Sequence, residues 1–435
     1  MEKAVEKMRT ALFYSFLLML GTLFAMTESR VFDFCTHLES SVIDVAGVTG
    51  QTLMRNSLHS RLFDRKANFT FAGFQARYPG ASVDELKRLS CHTVANSSPY
   101  SLRRVEPNVY FRGVLDGFRP GNTARSRYYS MHEKLRYKLA YLVMVHDLRG
   151  LSQLKRLIYS LDDGSAIIMI HVDLASPELF DQMNAFLRTY IDSRAAPVVG
   201  YGGYRQNVFL AEKRFLGAWG HSSLVHMQLS GFWELSDLAF FDFAINLSNF
   251  DYPLLQNGQI HDTLKKEGAQ AFIEYFHPSA FPSLLWRMGS SWVRTKSGGM
   301  TEVKTGRRRF PRPWVFFKHH QWIMLSRELI NSLRTSVETH LLLAFNEFSY
   351  IPDEAFFATL LLNTNTNVSR NMHRYLRFKG ANAHPDSLLY EDRHDLYSED
   401  LFFARKIKAF GPDEKSATRL MDWADEQRSL KGARL

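Results

Sequence analysis

The sequence contains very little cysteine, since Cys35 and Cys91 are the only two cysteines among 435 residues. A fold held together by a disulfide framework is therefore excluded, while a single bridge and two free thiols both stay open. Neither cysteine lies in a Cys-x-x-Cys pair or in a Cys/His cluster. Because structural zinc sites need several such ligands at close spacing, we predict no metal site.

Internal repeats and low-complexity tracts are also missing from the sequence. Hydrophobic residues make up 45% of the chain and aromatic residues 14%, which excludes wholesale disorder and allows a large packed domain. The formal net charge of +10 fits an anionic partner such as nucleic acid, a membrane surface or a phosphorylated small molecule. A basic, merely solvated surface fits equally well, so charge alone selects no function.

One uncharged apolar run lies near the N-terminus, at residues 11–26. As a helix it would rise about 24 Å, slightly less than a typical hydrocarbon core of ~30 Å. Short spans suit the thinner membranes of the early secretory pathway. Lys3, Lys7 and Arg9 precede the run and Arg30 follows it, which favours a cytoplasmic N-terminus. We therefore expect a single-pass membrane anchor here.

A cleaved signal peptide is the alternative interpretation of the same run. Ala25 is small enough for a cleavage site, whereas Leu23 two positions earlier is not. Both interpretations place the rest of the chain in the lumen or outside the cell. The Asn-x-Ser/Thr triplets at Asn68, Asn96 and Asn367 would then be glycosylation acceptors if they are exposed.

The apolar pattern becomes regular only after the first third of the chain. Residues 27–136 show irregular periodicity and frequent turn residues, so we interpret them as a stem and N-terminal region. Strand and helix patterns then alternate, with buried strands at 139–146, 166–173 and 240–248, a short strand near 197–201, and helices at 148–161, from about 176 and from about 222. This alternation predicts an α/β domain at 137–435 with a mostly parallel sheet, after a cytoplasmic tail (1–10) and the anchor (11–26).

Three polar side chains follow the predicted strands. His146 and Asp173 end the first two strands, and Asp251 comes just after the strand at 240–248. Ligands of parallel α/β sheets bind beyond the carboxyl ends of the strands, so these residues are candidate ligand contacts. Each of them alone is equally consistent with a solvated loop residue or a helix cap.

A series of ordered blocks resembles the core-2/I-branching enzymes, glycosyltransferase family 14, which also contains peptide xylosyltransferases and plant glucuronosyltransferases. The resemblance runs from about residue 139 to residue 410. Its blocks are YLVMVHDLRGLSQLKRLIYSL (141–161), IHVD (170–173), AWGHSSLV (218–225), INLSNFDYPL (245–254), QWIMLSRELI (321–330), IPDEAFFATLLLN (351–363), LRFKGANAHPDSLLYEDRHDL (376–396) and FFARKIKAF (402–410). Their order and spacing make the resemblance specific.

The resemblance implies a Rossmann-like GT-A fold and inverting transfer from a UDP-sugar donor to a hydroxyl of a glycan or glycoprotein acceptor. N-acetylglucosamine is the expected sugar, with xylose or glucuronic acid as alternatives. The family works without a divalent metal, and here Asn249-Phe250-Asp251 stands where other GT-A enzymes carry Asp-x-Asp. Together with the anchor, the resemblance implies a type II membrane protein of the Golgi or ER–Golgi, with residues 137–435 as a lumenal catalytic domain.

Glu354 is the residue that the resemblance marks as catalytic base, through the motif Pro352-Asp353-Glu354. Proline suits the first position of a helix, so we expect both acidic residues in a first helical turn. Without the family, acidic residues there are explained equally well by the helix dipole. Asp353 is a neighbouring substrate-site candidate that should project about 100° away around the helix.

Without a metal, cations of the protein must neutralise the leaving UDP. Arg405-Lys406 matches the family's basic pair, and Lys406 resembles its diphosphate ligand. Arg377 resembles a family arginine, although the tryptophan expected near Lys379 is missing. A solvated basic face remains the alternative for these residues.

The resemblance also implies nucleotide and sugar contacts. Val145, His146 and Asp173 resemble the uracil and ribose contacts, and Asp251 and Tyr252 are expected to shape the sugar pocket. Trp219 is expected to stack on sugar or nucleotide, and burial in the core is its alternative. The arginine run at residues 307–309 and 312 either faces an acidic acceptor or lies in a solvated loop.

Two other classes of protein compete with the enzyme. An inactive relative that only binds glycans or UDP would not need Glu354 and Lys406, both of which are present. A nucleic-acid binder would fit the charge, but it conflicts with the anchor, and the sequence lacks a recognised binding motif. We therefore expect no nucleic-acid partner.

Overall fold

The computed structural model describes residues 75–86, 89, 135–194, 207–305, 308, 314–379, 384–398 and 400–432. The expected anchor at 11–26, most of the expected stem, both cysteines, Asn68 and Asn96, and the short strand near 197–201 lie outside these residues. Within the described ranges, no helix combines the length and the apolar character that crossing a membrane requires.

The chain divides into two units, Met1–Arg119 with Val293–Ser297, and Pro120–Trp292 with Gly298–Leu435. In the first unit, Ala81 forms an antiparallel bridge with Thr295. The buried carboxylate of Glu85 accepts from the backbone N–H of Arg294 and pairs with its Nε atom at 3.4 Å. The second unit contains the predicted α/β domain and is described from here on.

The strands of the structure are short apart from the first, second and fourth. Their bounds are β1 Leu139–Val145, β2 Ala166–Val172, β3 Val208–Leu210, β4 Phe243–Ser248, β5 Asp251–Pro253, β6 Ala271–Phe272, β7 Tyr275–Phe276, β8 Ser291–Arg294, β9 Met300–Val303, β10 Lys318–His319, β11 Met324–Ser326, β12 Val368–Ser369, β13 Arg374–Leu376 and β14 Phe403–Arg405.

The helices connect and cover these strands. Their bounds are α1 Leu151–Leu161, α2 Pro177–Arg194, α3 Ser223–Leu238, α4 Asn257–Glu267, α5 Ser283–Gly289, α6 Arg327–Thr335, α7 Val337–Asn346, α8 Phe356–Asn363 and α9 Glu414–Gly432, with 3₁₀ turns at Leu148–Gly150, Pro278–Ala280, Pro352–Glu354 and Tyr390–Leu396.

A seven-stranded sheet forms the centre of the second unit, in the order β12-β6-β11-β4-β1-β2-β3. β1 pairs in parallel with β2, from Leu139 opposite Ala166 to Val145 opposite Val172, and it pairs in parallel with β4 on its other side. Only β11 runs antiparallel to its neighbours, β4 and β6. The predicted mostly parallel α/β sheet is therefore confirmed.

The sequence explains the central strands and the first helix. β1 and β2 consist almost entirely of apolar side chains and are buried along their whole length. This is expected of parallel strands that are covered on both faces. In α1, Leu154, Leu157, Ile158 and Leu161 recur every three or four residues and pack against the sheet.

A smaller sheet lies beyond the end of β4. β14 pairs in parallel with β13 and antiparallel with β5, which places Arg405 opposite Asp251. Because β5 follows β4 after a two-residue turn, this small sheet joins the C-terminal part of the chain to the carboxyl end of the central sheet. Candidate ligand residues from distant blocks of the sequence therefore meet at one edge.

Candidate active site

Glu354 lies in a strained turn before a helix. The backbone of Ile351 has φ 52°, a left-handed conformation that is rare for a β-branched residue. The residues Pro352–Glu354 form a 3₁₀ turn, and Ala355 with φ −139° separates it from α8. Pro352 therefore begins a helical turn that contains Asp353 and Glu354, as predicted, but this turn is 3₁₀ and the α-helix begins only at Phe356.

The carboxylate of Glu354 is held by two cations. Its Oε2 atom lies 3.1 Å from Nη1 of Arg287 and 3.7 Å from Nζ of Lys318. Its side chain remains 27% exposed, so it is accessible to an acceptor hydroxyl. A partly exposed carboxylate with a fixed orientation has the geometry required of a general base.

Asp353, the residue before Glu354, is buried in the protein. Its side chain is buried, and this burial, assisted by the charge of Glu354, raises the pKa of Asp353 to about 7. The predicted angle between the two carboxylates stays a prediction. Its burial makes Asp353 a support for the turn rather than a direct substrate contact.

Backbone contacts fix the Glu354 turn to a second loop. The N–H of Ile351 donates to the carbonyl of Gly220 at 2.9 Å, and the N–H of Tyr350 donates to the carbonyl of Arg287 at 3.0 Å. Gly220 has φ +83°, and a Cβ atom there would lie 2.7 Å from Cε2 of Tyr350. Only glycine satisfies both the backbone conformation and this close approach.

The described member of the predicted arginine run, Arg308, faces inward. Its Nη1 atom donates to Oγ of Ser349 at 3.0 Å, and its Nη2 atom donates to the carbonyl of Phe345. Arg308 therefore supports the chain just before the Glu354 turn, and the expectation of a solvated loop or an acceptor contact was wrong for this residue. Residues 307, 309 and 312 lie outside the described residues.

Trp219 is exposed beside the Glu354 turn. Its side chain is 51% accessible, which rules out the core position considered above. The ring makes edge contacts with Tyr350 at 5.7 Å and with His384 at 6.0 Å between centroids. The indole is therefore partly accessible from solvent, and stacking on a sugar or nucleotide stays a prediction.

His384 contacts the ring of Trp219 and responds to charges from two distant parts of the sequence. Partial burial lowers the pKa of His384, and the positive charge of Lys406 lowers it further, while Glu354 opposes this effect. Glu354 and Lys406 therefore both lie within electrostatic reach of the same imidazole, although they are 52 residues apart in the sequence.

Lys406 and Lys408 form the cationic side of this site. Their Nζ atoms lie 5.0 Å and 6.0 Å from the centroid of the Phe250 ring. Burial, together with the charges of Arg405 and Lys408, lowers the pKa of Lys406 to about 8. No carboxylate among the described residues forms an ion pair with either lysine, so this cluster favours an anionic ligand.

Asp251 is buried under this cluster between two arginines. Its carboxylate lies 2.9 Å from Arg405 and 3.4 Å from Arg374, and both guanidinium groups stack on the ring of Trp322. Asp251 is 0% exposed, which leaves it no surface for a sugar. The packing therefore supports a structural role in place of the predicted direct contact, with Arg405 held beneath Lys406.

Tyr252 is also fully buried. Its hydroxyl accepts from Nε of Arg156 and donates to the carboxylate of Asp425 in α9, each at 2.9 Å. This packing does not support the predicted contribution of Tyr252 to a sugar pocket. The residue instead fixes β5 to the C-terminal helix.

The predicted nucleotide contacts lie at the carboxyl ends of β1 and β2. Val145 is buried at the end of its strand, and His146 is exposed just beyond it. The carboxylate of Asp173 accepts from the backbone N–H groups of Ala175 and Gly217, both at 2.8 Å. Asp173 therefore holds the loop that continues to Trp219, and a contact with ribose stays a prediction.

Arg377 has a partner within the protein. It forms an ion pair with Asp392 and donates to the carbonyl of Ser387 at 3.1 Å. Both bonds engage its guanidinium within the protein, so its predicted role as a nucleotide ligand finds no support in this geometry.

Sequence reasoning missed three residues of the site, Arg287, Lys318 and His384. His384 lies inside a block that carried the resemblance, so a signal for it was present. Arg287 and Lys318 lie in the segment at 255–320, which resembles the family poorly. Within the described ranges, no group of three or more His, Cys, Asp or Glu side chains is placed to hold a metal ion.

Together these residues provide an oriented, partly exposed carboxylate at Glu354 and a group of cations at Arg405, Lys406 and Lys408. Such a combination in an α/β domain is typical of an enzyme site that takes an anionic ligand. Residues 139–401 match the family model described as "Core-2/I-Branching enzyme", well over half of the chain. The chain belongs to this glycosyltransferase family, as predicted.

The chain is also similar to curated xylosyltransferases. It is 25% identical over 303 residues to xylosyltransferase 1 of Canis lupus familiaris, which covers 62% of this chain and 29% of that protein. It is 26% identical over 298 residues to xylosyltransferase oxt of Drosophila pseudoobscura pseudoobscura, covering 63% and 32%. The chain thus spans about a third of the length of these relatives.

One solved structure, galactosyltransferase LgtC in complex with donor and acceptor sugar analogues, aligns with 66% of this chain and 95% of its own. The sequence identity is 9% and the TM-score is 0.31.

Proposed function

We propose that the chain is an inverting glycosyltransferase of the GT-A fold that transfers a sugar from a UDP-sugar to an acceptor hydroxyl. The observation that carries the proposal is the accessible Glu354 carboxylate, which Arg287 and Lys318 hold in a fixed orientation. Membership of the core-2/I-branching family supports it.

In the proposed reaction, Glu354 accepts the proton of the acceptor hydroxyl as its oxygen attacks the anomeric carbon of the donor. The new bond between this oxygen and the sugar forms on the face opposite the bond that breaks. The electron pair of the broken bond leaves with the β-phosphate of UDP. A single displacement of this kind inverts the anomeric configuration.

The leaving diphosphate gains negative charge, which Lys406 and Lys408 are placed to stabilise. Arg405 adds positive charge, although its guanidinium is directed at Asp251. Because charge stabilisation in a site that excludes water is strong, these cations offer a source of leaving-group stabilisation that needs no divalent metal. We therefore propose that excess EDTA leaves the rate unchanged, and a loss of activity that Mg²⁺ or Mn²⁺ restores would contradict this.

We propose two alternative donor sugars. N-acetylglucosamine follows from the resemblance to branching enzymes, and xylose is favoured by the names of the curated relatives. Release of UDP from a panel of UDP-N-acetylglucosamine, UDP-xylose and UDP-glucuronic acid distinguishes them. We further propose a glycan or glycoprotein acceptor.

The proposed location is the Golgi or ER–Golgi membrane, with the anchor at 11–26 and the catalytic domain in the lumen. A chain tagged at its C-terminus should resist alkaline extraction from membranes, and its tag should be protected from added protease. Recovery of the tagged chain in the soluble fraction would contradict the proposed membrane anchor.

The decisive experiment compares Glu354→Gln with Glu328→Gln. Glu328 is an exposed residue in the first turn of α6. Glu328→Gln therefore removes an acidic charge from the start of a helix outside the proposed site. Removing a general base typically lowers kcat by about 10²–10⁴-fold, and we expect this of Glu354→Gln only. Equal turnover in both variants would exclude the catalytic role, and no turnover by the wild type with any donor would favour an inactive binding protein.

A further inference from the structure

A continuous row of aromatic rings begins at the Glu354 turn. Trp219 contacts Tyr350, whose ring stacks on Trp292 at 4.3 Å between centroids. Trp292 in turn contacts Trp286 at 4.9 Å. The row therefore extends from the exposed indole beside Glu354 to a second indole on α5.

α5 places its remaining exposed side chains around a depression. Leu284 and Met288 are buried, whereas Leu285 and Trp286 are 51% and 48% exposed. The depression has a volume of about 520 Å³, and its lining includes Leu285, Trp286 and Val303 together with the polar residues Ser290, Glu302 and Lys304. It thus combines an apolar wall with hydrogen-bonding groups.

The same helix connects this depression to the proposed catalytic base. Arg287 directly follows Trp286 and donates to Glu354 at 3.1 Å, while its carbonyl accepts from the N–H of Tyr350. α5 therefore connects the depression to the Glu354 turn through one residue, Arg287, and the row of rings makes a second connection through the buried Trp292.

We propose that this depression is a distal acceptor subsite, which binds a sugar unit remote from the reacting hydroxyl. The inference rests on the proposed transferase function. A pyranose presents an apolar C–H face and a rim of hydroxyls. The indole of Trp286 and the side chain of Leu285 match the face, and Glu302, Lys304 and Ser290 match the rim. The enzyme consequently prefers longer acceptor chains.

The test measures binding and turnover separately for acceptors of increasing length. The probes are methyl β-galactoside and a β-linked tetrasaccharide of alternating galactose and N-acetylglucosamine, with a serine-rich peptide of similar length as comparison. Binding without donor is measured by calorimetry, and UDP release without acceptor reports the donor site. The variants are Trp286→Ala and Trp286→Phe, with Leu430→Ala as a control at an exposed apolar residue of α9.

We expect the wild type to bind the tetrasaccharide about tenfold more tightly than methyl β-galactoside, in line with the loss caused by truncating an aromatic anchor. Trp286→Ala should abolish this preference, Trp286→Phe should retain most of it, and Leu430→Ala should retain all of it. Donor hydrolysis should be the same in all four proteins, which also shows that each is folded.

Two results would overturn the subsite. One is a wild type that binds both sugars equally or prefers the peptide, and the other is a Trp286→Ala variant that keeps the length preference. Failure of the proposed function looks different, because the wild type would then release no UDP from any donor. A length preference that depends on Trp286 would in that case still establish the subsite.

Discussion

The guanidinium of Arg287 lies 3.1 Å from the carboxylate of Glu354, although 67 residues separate them in the sequence. Arg287 belongs to α5 and Glu354 to the turn before α8, and both side chains are only partly exposed. The contact fixes one oxygen of the proposed base and leaves the other available. We therefore propose Arg287 as a positioning residue for the base of the proposed reaction.

Replacing Arg287 by Met should lower kcat/KM by about tenfold or more, because small errors in the position of a catalytic group are costly. Arg287→Lys keeps a cation there and should recover part of the loss. Initial rates of UDP release, together with thermal unfolding of both variants, check the prediction. A wild-type rate in Arg287→Met would show that Lys318 alone suffices.

The lowered pKa of Lys406 predicts that the enzyme uses its donor less efficiently at alkaline pH. Because burial and neighbouring cations lower its pKa to about 8, the charged form predominates only below that pH. The value of kcat/KM for the donor should therefore fall as the pH rises through about 8 in the free enzyme. Lys406→Arg should remove this limb, since a guanidinium stays charged.

Lys408 provides the matched control for this pH profile. Lys408→Gln removes one of the charges that lower the pKa of Lys406, so the limb should move to higher pH while activity persists. A profile that is identical in the wild type, Lys406→Arg and Lys408→Gln would assign the limb to another group.

The raised pKa of Asp353 predicts that the free energy of unfolding of the protein depends on pH. Burial raises the pKa of Asp353 from 3.8 to about 7 in the folded protein. The stability that this group contributes is complete below its unfolded pKa and is lost as the pH rises through about 7. A shift of this size corresponds to a loss on the order of 4 kcal/mol.

The variant Asp353→Asn cannot ionise and should therefore lose less stability than the wild type between pH 5 and pH 8. Unfolding in urea at both pH values measures the difference. Asp413→Asn, at an exposed carboxyl, serves as control and should follow the wild type. The same fall in stability for wild type and Asp353→Asn would contradict a buried carboxyl with a raised pKa.

Alanine substitutions at Gly220 and Gly268 separate the cost of an unfavourable backbone conformation from the cost of a steric clash. Both have positive φ, +83° and +67°, but a Cβ atom would meet Tyr350 at Gly220 and open space at Gly268. Each change to Ala should cost about 1 kcal/mol for the backbone conformation. Only Gly220→Ala should also displace the Glu354 turn and reduce kcat, as measured by unfolding and UDP release. Equal kcat in the two variants would show that this loop does not position the base.

The parts of the fold that rest on local pattern could be predicted from the sequence. β1 and β2 are uninterrupted apolar segments, and α1 has helical periodicity up to Asp162, so each was placed within one to three residues of its observed bounds. Glu354 was identified through its motif, and its position next to two cations fits the predicted role without testing it.

The remaining parts depend on contacts between distant segments. No local pattern predicts a left-handed backbone at Ile351, because the N–H that it presents to Gly220 is satisfied only in the folded protein. Asp251 and Tyr252 lie in the most family-like block, yet Arg405, Arg374 and Asp425 bury them from far along the chain. A motif therefore located these residues but did not show which way they face.

The bond between Tyr252 and Asp425 has a consequence for biosynthesis. The strand that carries Asp251 is tied to the last described helix, 173 residues later in the chain. During translation, the hydroxyl of Tyr252 gains this carboxylate partner only after the intervening residues have been synthesised. The edge of the sheet that carries Asp251 is therefore completed later than the pairing of β1 with β2, whose strands lie close together in the chain.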